Sequence, residues 1–288
     1  MPFNPKVTII IPVYNGSNFL SEAINSALDQ TYKYIEVIVI NDGSQDKGKT
    51  ESIAKEYGNK IRYFHKKNGG VASALNLGIC KSTGEYISWL SHDDIYLPDK
   101  ISKQVNYLAK TSDKKLIVFG DFEVLDLTTG TTFMHNTLAA RSDILYNNLL
   151  MIFKANLHGC TLLIPNDVFK NVGLFNEKLL TTQDYDLWAR AIKNGYKFFN
   201  INSCLIKTRW HDAQGTITMS NIHRKEVENF YKNAIDLLDE EFSLLSFLEI
   251  SSFISEVRNK FNKNTKNRII KHWRTGTPIR YALSFLIR

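Results

Sequence analysis

The chain of 288 residues holds only three cysteines, Cys80, Cys160 and Cys204, far apart and odd in number. They form neither a zinc spacing nor a disulfide framework, which points to a reducing compartment. No apolar run approaches the ~20 residues that a membrane-spanning helix needs. The first residues, Met1-Pro2-Phe3-Asn4-Pro5-Lys6, do not resemble a secretory signal. A cytoplasmic protein, soluble or peripheral at the inner face of a membrane, is the expectation. There is no internal repeat and no low-complexity linker. The first strand-to-helix turn, Pro12-Val13-Tyr14-Asn15-Gly16, lacks the Gly-x-Gly-x-x-Gly fingerprint, which speaks against a nicotinamide-dependent dehydrogenase.

Acids are nearly absent from one stretch. Residues 256–288 carry nine Lys/Arg and a single acid, Glu256, for a net of +8. The whole chain is +7, so residues 1–255 sum to −1 and the basic character belongs to the tail. What is abundant is apolar: 43% hydrophobic and 12% aromatic, ample for a packed core.

The apolar residues come in strand-sized blocks. Val7-Thr8-Ile9-Ile10-Ile11-Pro12 and Ile35-Glu36-Val37-Ile38-Val39-Ile40 are too unbroken to have one wet face. Ile61 to His65 and Glu85 to Leu90 follow as third and fourth strands. Helical periodicity fills the gaps: Leu20, Ala23, Ile24, Ala27 and Leu28 share a face, with Ser17 placed to cap it. Strand and helix alternating at this rhythm predict a parallel sheet with right-handed crossovers. The polar loops after the strands then emerge at one edge, where open α/β sheets bind ligands.

Beyond Lys110, strands are expected at 116–121 and 159–164, the latter stopped by Pro165, with a hairpin, 123–126 and 131–134, about Thr129-Gly130. Helices are expected at 144–153, 167–171 and 183–193, strands at 196–200 and 204–210, and helices from 221 and over 242–261.

The fourth strand runs into Ser91-His92-Asp93-Asp94. Two acids at a buried strand's C-terminal end suit a hard cation such as Mg²⁺ or Mn²⁺, which keeps positions open for phosphate oxygens. Taken alone, the pair is better explained by helix capping or a solvated loop.

The neighbouring motifs decide between these readings. Ile11-Pro12-Val13-Tyr14-Asn15, Val39-Ile40-Asn41-Asp42-Gly43-Ser44, Asn68-Gly69-Gly70-Val71-Ala72, Asn76-Leu77-Gly78, Gly84-Glu85-Tyr86-Ile87, Ser91-His92-Asp93-Asp94 with Pro98, and Gln183-Asp184-Tyr185-Asp186-Leu187-Trp188-Ala189-Arg190 occur in one order over roughly the first 210 residues. The chain thereby resembles the family 2 glycosyltransferases, inverting enzymes of the GT-A fold, a Rossmann-like α/β fold with a mostly parallel sheet flanked by helices. The resemblance implies a catalytic domain over 1–218, followed here by a helical, basic C-terminal extension over 219–288.

It also implies roles. Pro12, Tyr14, Asn15, Asp42, Asn68, Gly69 and His92 fall on the nucleotide side. Tyr14 resembles the aromatic that stacks on the base, and Asp42 the acid that accepts from uracil N3; an ordinary loop Tyr and an Asp-Gly turn are the alternatives. His92 reads as a loop residue more than a metal ligand. Asp93 resembles the last acid of the family's Asp-x-Asp metal motif, whose first acid is here Ser91. His211 resembles a histidine that reaches the metal or diphosphate, against a surface histidine. Asp94 resembles a flanking acid nearer the sugar, and Arg209 a diphosphate contact or an acid's partner. Asp184 resembles the catalytic base, with Gln183 in place of a Glu; helix capping is its alternative. Trp188 reads as core.

The expected activity is metal-dependent transfer from a nucleotide-diphosphate sugar, a UDP-sugar foremost, with Mn²⁺ or Mg²⁺. The expected acceptor is a glycan or a lipid-linked acceptor of cell-surface polysaccharide synthesis. A nucleotidyltransferase and a non-catalytic carbohydrate-binding protein on the same fold are the competing readings. The tail interleaves cations with Ile269, Ile270 and Trp273, which suits an anionic membrane surface, against packing on the catalytic domain or on a second subunit of a homo-oligomer. A neutral body gives no reason for nucleic acid.

Overall fold

The structure, a computed structural model, describes residues 3–135, 157–212 and 214–230. The helices expected at 144–153 and 242–261, and the whole basic tail at 256–288, lie outside the described residues.

The first half alternates as the hydrophobic pattern requires. Strand β1 (Val7–Val13) is buried along its whole length. It is followed by helix α1 (Leu20–Leu28), β2 (Ile35–Asn41), α2 (Lys49–Glu56), β3 (Arg62–His65), α3 (Gly70–Lys81) and β4 (Tyr86–Trp89). β1 pairs in parallel with β2 and β4, and β2 with β3. The edge strand β8 (Ile164–Pro165) joins β4 antiparallel, giving the order β3-β2-β1-β4-β8. Helix α3 packs on β1 and β2, and α1 on β1 and α2. Thr8, buried among the apolar side chains of β1, donates its hydroxyl to Glu36 at 2.7 Å, so the strand carries no unpaired hydroxyl there.

A second sheet has the order β5-β9-β6-β7, with β5 Ile95–Tyr96, β6 Leu116–Asp126, β7 Thr132–His135 and β9 Lys197–Trp210. β5 pairs antiparallel with β9, while β6 pairs in parallel with β9. Helix α4 (Lys100–Leu108) packs on β6 and β9. The chain passes from the first sheet to the second across Ser91–Asp94, so the two acids sit at the seam.

Several boundaries differ from expectation. Ser17 does not cap α1; the carbonyl of Gly16 takes the N–H groups of Phe19 and Leu20 at 3.2 and 3.0 Å, so a backbone turn replaces the side-chain cap. The segments 116–121 and 123–126 are one strand, β6, broken in register near Asp121. The segments 196–200 and 204–210 are likewise one strand, β9, in which Asn202 takes φ +51°. Most of 159–164 is not strand: Gly159–Thr161 forms a 3-10 turn. Pro165 does not stop β8 but lies in it, tolerated because an edge strand can do without one N–H. Among the described residues no helix is long and apolar enough to cross a membrane.

Candidate active site

The C-terminal ends of β1, β2, β3 and β4 deliver four loops to one edge, and specific bonds lock them together. Asn15, left-handed at φ +52°, accepts Gln45 N–H through Oδ1 at 2.7 Å and donates its own N–H to Ser44 Oγ at 2.9 Å. The next residue, Gly16, lies against His92; a methyl there would run into the imidazole. Gly43, at φ +72°, passes so close to Asn68 that a Cβ would sit 2.6 Å from the Asn68 nitrogen. The first loop thus touches the second and fourth, and the second touches the third.

Asp42 ties that contact. Its carboxylate is buried and accepts Lys66 Nζ at 2.7 Å, Gly69 N–H at 3.0 and 3.2 Å, and Gly70 N–H at 2.8 Å. The acid therefore shapes the Asn68–Gly70 turn as well as carrying charge into the edge. Tyr14 follows Val13, whose carbonyl accepts Asp42 N–H at 2.8 Å, and is 42% exposed. Pro12 is a buried residue of β1 paired with Ile40.

At the seam, Asp93 and His211 come together: Oδ2 and Nε2 are 3.0 Å apart, and both side chains keep some exposure. Arg209 lies behind them. Its guanidinium donates to Asp93 O at 2.7 Å and to Glu22 at 2.6 Å, and covers the Phe19 ring at 4.6 Å. Arg209 is only 5% exposed, so its fork braces the Asp93 loop from within.

Asp94 points inward. It accepts Arg209 N–H at 3.2 Å and a bond from Thr208. Burial first, and the neighbouring Asp93 charge second, push its pKa up to about 7. Burial likewise lowers His92 below the usual imidazole range.

Asp184 lies in the first turn of helix α6 (Gln183–Lys193), which follows α5 (Asp167–Val172). Burial raises its pKa to about 6, against the Tyr185 N–H that donates to Oδ1 at 2.9 Å. A carboxyl of that pKa is ionised at neutral pH yet basic enough to accept a proton. Trp188 is fully buried and stacks on Trp89 at 5.7 Å, so it is core, as its position on the helix predicts. Gln183 Oε1 is buried without a partner.

Sequence reasoning missed His158 and Cys160, whose ligating atoms and those of Asp94 lie within 4.8 Å of one another. Cys160 Sγ is 3.3 Å from Ser91 N and 3.4 Å from Ser91 Oγ, so the residue standing in the first-acid position turns toward sulfur. Lys66 was also missed; its place two residues before Asn68 was the available signal.

A model of the family described as Glycosyl transferase family 2 matches residues 8–173. A Rickettsia felis protein described as an uncharacterized glycosyltransferase is 48% identical over 238 residues, 82% of this chain and 39% of that protein. The chain thus spans about two fifths of that relative's length. An uncharacterized glycosyltransferase of Rickettsia typhi is 44% identical over 268 residues, covering 91% of this chain and 81% of the relative. A Bacillus subtilis putative teichuronic acid biosynthesis glycosyltransferase, TuaG, is 27% identical over 212 residues, 72% of this chain and 80% of TuaG. Among solved structures, S. aureus TarS 1–349 in complex with UDP-GlcNAc superposes with a TM-score of 0.63 at 17% identity, covering 88% of this chain and 80% of that one. The family match ends before Asp184, Arg209 and His211.

Proposed function

The chain belongs to glycosyl transferase family 2, and from that premise we propose that it moves a sugar from a UDP-sugar, with inversion, onto a hydroxyl of a glycan or lipid-linked acceptor of cell-surface polymer synthesis. The donor class is supported by the TarS structures, which carry UDP and UDP-GlcNAc, and the acceptor class by TuaG.

The observation that carries the reading is the meeting of Asp93 and His211 at the loop edge. One carboxylate oxygen and one imidazole nitrogen, both partly exposed, form a donor set that suits Mn²⁺ or Mg²⁺ with room for phosphate oxygens. An ion held there would neutralise charge on the departing diphosphate.

The chain's own residues do the rest. Tyr14 offers a face for the base. The Asp42-anchored turn brings backbone close to the nucleotide. Arg209 holds the Asp93 loop, and Asp94, buried beneath that loop, accepts the Arg209 N–H. Asp184 accepts the proton of the attacking hydroxyl as its oxygen bonds the anomeric carbon and the bond to UDP breaks. For the basic tail we propose a reversible contact with an anionic membrane surface.

The test is a thermal-shift screen of the purified protein with UDP-, GDP- and dTDP-sugars, with and without Mn²⁺, followed by assay of UDP release. A ligand at 100 times its dissociation constant adds about 2.7 kcal/mol. A Mn²⁺-dependent rise with UDP-sugars is expected. Pyrophosphate release from a nucleoside triphosphate would replace transferase by nucleotidyltransferase.

A further inference from the structure

The residues just ahead of Asp184 are anchored from a distant part of the chain. Thr182 occupies the N-cap of α6, where a threonine hydroxyl ordinarily accepts an N–H of the first turn. It makes no such bond. It donates instead to Glu226 Oε2 at 3.2 Å. The same carboxylate takes Leu180 N–H at 2.9 Å on Oε1, and Thr181 N–H and Oγ1 at 2.9 and 2.7 Å on Oε2. One side chain thus gathers the backbone donors and hydroxyls of residues 180–182.

Glu226 lies on the helix at 220–230, which comes after β9. Two other residues of that helix face the same way. His223 Nδ1 is 3.1 Å from Thr181 Oγ1, and Phe230 meets the ring of Tyr185 edge-on at 5.7 Å. Spacings of three and four residues put 223, 226 and 230 on one helical face.

We propose that Glu226 is a positioning residue for sugar transfer: from the helix after β9 it fixes the Leu180–Thr182 loop, and through that loop the place of the Asp184 carboxylate. The inference rests on Asp184 being the base. Bonds to an ionised acceptor are about twice as strong as neutral ones, and here they converge on the residues that precede the base. Without the carboxylate, two backbone N–H groups lose their acceptor. The Thr182 hydroxyl is then released to swing onto α6, which resets the first turn. A displacement of ~1 Å at a reacting group can cost about 10²-fold in rate.

The experiment uses the full chain and compares Glu226→Gln, Thr182→Val, Thr182→Ser and Asp184→Asn. The rate is UDP release from the best UDP-sugar of the screen, and affinity is measured with UDP. Glu226→Gln keeps the size but replaces one acceptor oxygen by an amide nitrogen. Its kcat should fall ~10- to 10²-fold, with donor KM and UDP affinity within about twofold of wild type. The acid limb of its kcat–pH profile should move, since the base changes surroundings. Thr182→Val should lose kcat in the same way and Thr182→Ser recover it, a pair that reads the loop even if Glu226→Gln does not fold. If Asp184→Asn is slow while Glu226→Gln and Thr182→Val match wild type in kcat and pH profile, the positioning role is wrong and the base stands. Loss of UDP affinity in step with kcat would mark Glu226 as merely structural and overturn the proposal. Full turnover by Asp184→Asn would remove both assignments.

Discussion

His211 Nε2 lies 3.0 Å from Asp93 Oδ2 across 118 residues of sequence. The contact joins the end of β9 in the second sheet to the loop after β4 in the first. Asp93→Asn keeps the shape and removes the anionic ligand. It should abolish the Mn²⁺-dependent tightening of UDP binding, read by calorimetry with and without the ion. Unchanged tightening would take the metal away from this pair.

Asp184→Asn should cut turnover by ~10²–10⁴ and leave UDP affinity near wild type, because a base acts in the transition state. In the wild type, kcat should fall as pH drops through about 6, where burial has placed this carboxyl. A rate independent of pH between 5 and 7 would point to another base.

Asp42→Asn puts an amide where Lys66, Gly69 and Gly70 all donate. Leaving such buried donors unmatched costs on the order of 1–3 kcal/mol. Both the unfolding temperature and UDP affinity should fall, and a variant with wild-type affinity would show that the turn holds without its acid.

Lys100 is wholly buried, donating to Ser88 Oγ, Gln104 Oε1 and Leu162 O at 2.9, 2.8 and 3.3 Å over the Tyr96 ring. None of these is a carboxylate, and burial pulls its pKa down to about 7, with Cys160 a smaller opposing influence. Its folded pKa is below its unfolded one, so the unfolded chain binds more protons between them and stability rises with pH over that window. Relative to Lys100→Met, the wild type should gain up to ~1.4 kcal/mol per pH unit above about 7. A stability difference that stays flat from pH 7 to 9 would refute the assignment.

The tail is tested by co-sedimentation with anionic vesicles at low salt. The full chain should pellet and a chain ending at Asn262 should not, given ~1 kcal/mol per basic residue near such a surface. Equal pelleting of the two, or none by either, would exclude the membrane contact.

The parallel half of the fold was legible because its strands are unbroken β-branched runs and its loops are polar breaks of fixed kind. Asp93, Asp94 and Asp184 stood out for the same reason: acids at element boundaries. The long strands β6 and β9 did not, because irregular register at Asp121 and the left-handed Asn202 interrupt the alternation that marks a strand. Gly159–Thr161 looked like strand because Cys160, Thr161 and the leucines after it are apolar or β-branched, yet a turn there brings Cys160 against Ser91. Glu226 was invisible for a different reason. Helical periodicity gives the face a residue occupies but not the loop it meets 45 residues away.

The seam between the sheets also sets when the site can exist. The four loops come from the first sheet, all of whose parallel strands, β1 to β4, precede Leu90. The Asp93–His211 pair needs β9, the last strand among the described residues, laid beside both β5 and β6. Contacts of such sequence separation close late. A growing chain that has not yet delivered His211 can pair β1 to β4 but cannot complete the Asp93–His211 contact. The contact is in that sense a checkpoint: it can form only after β9 has been laid in place.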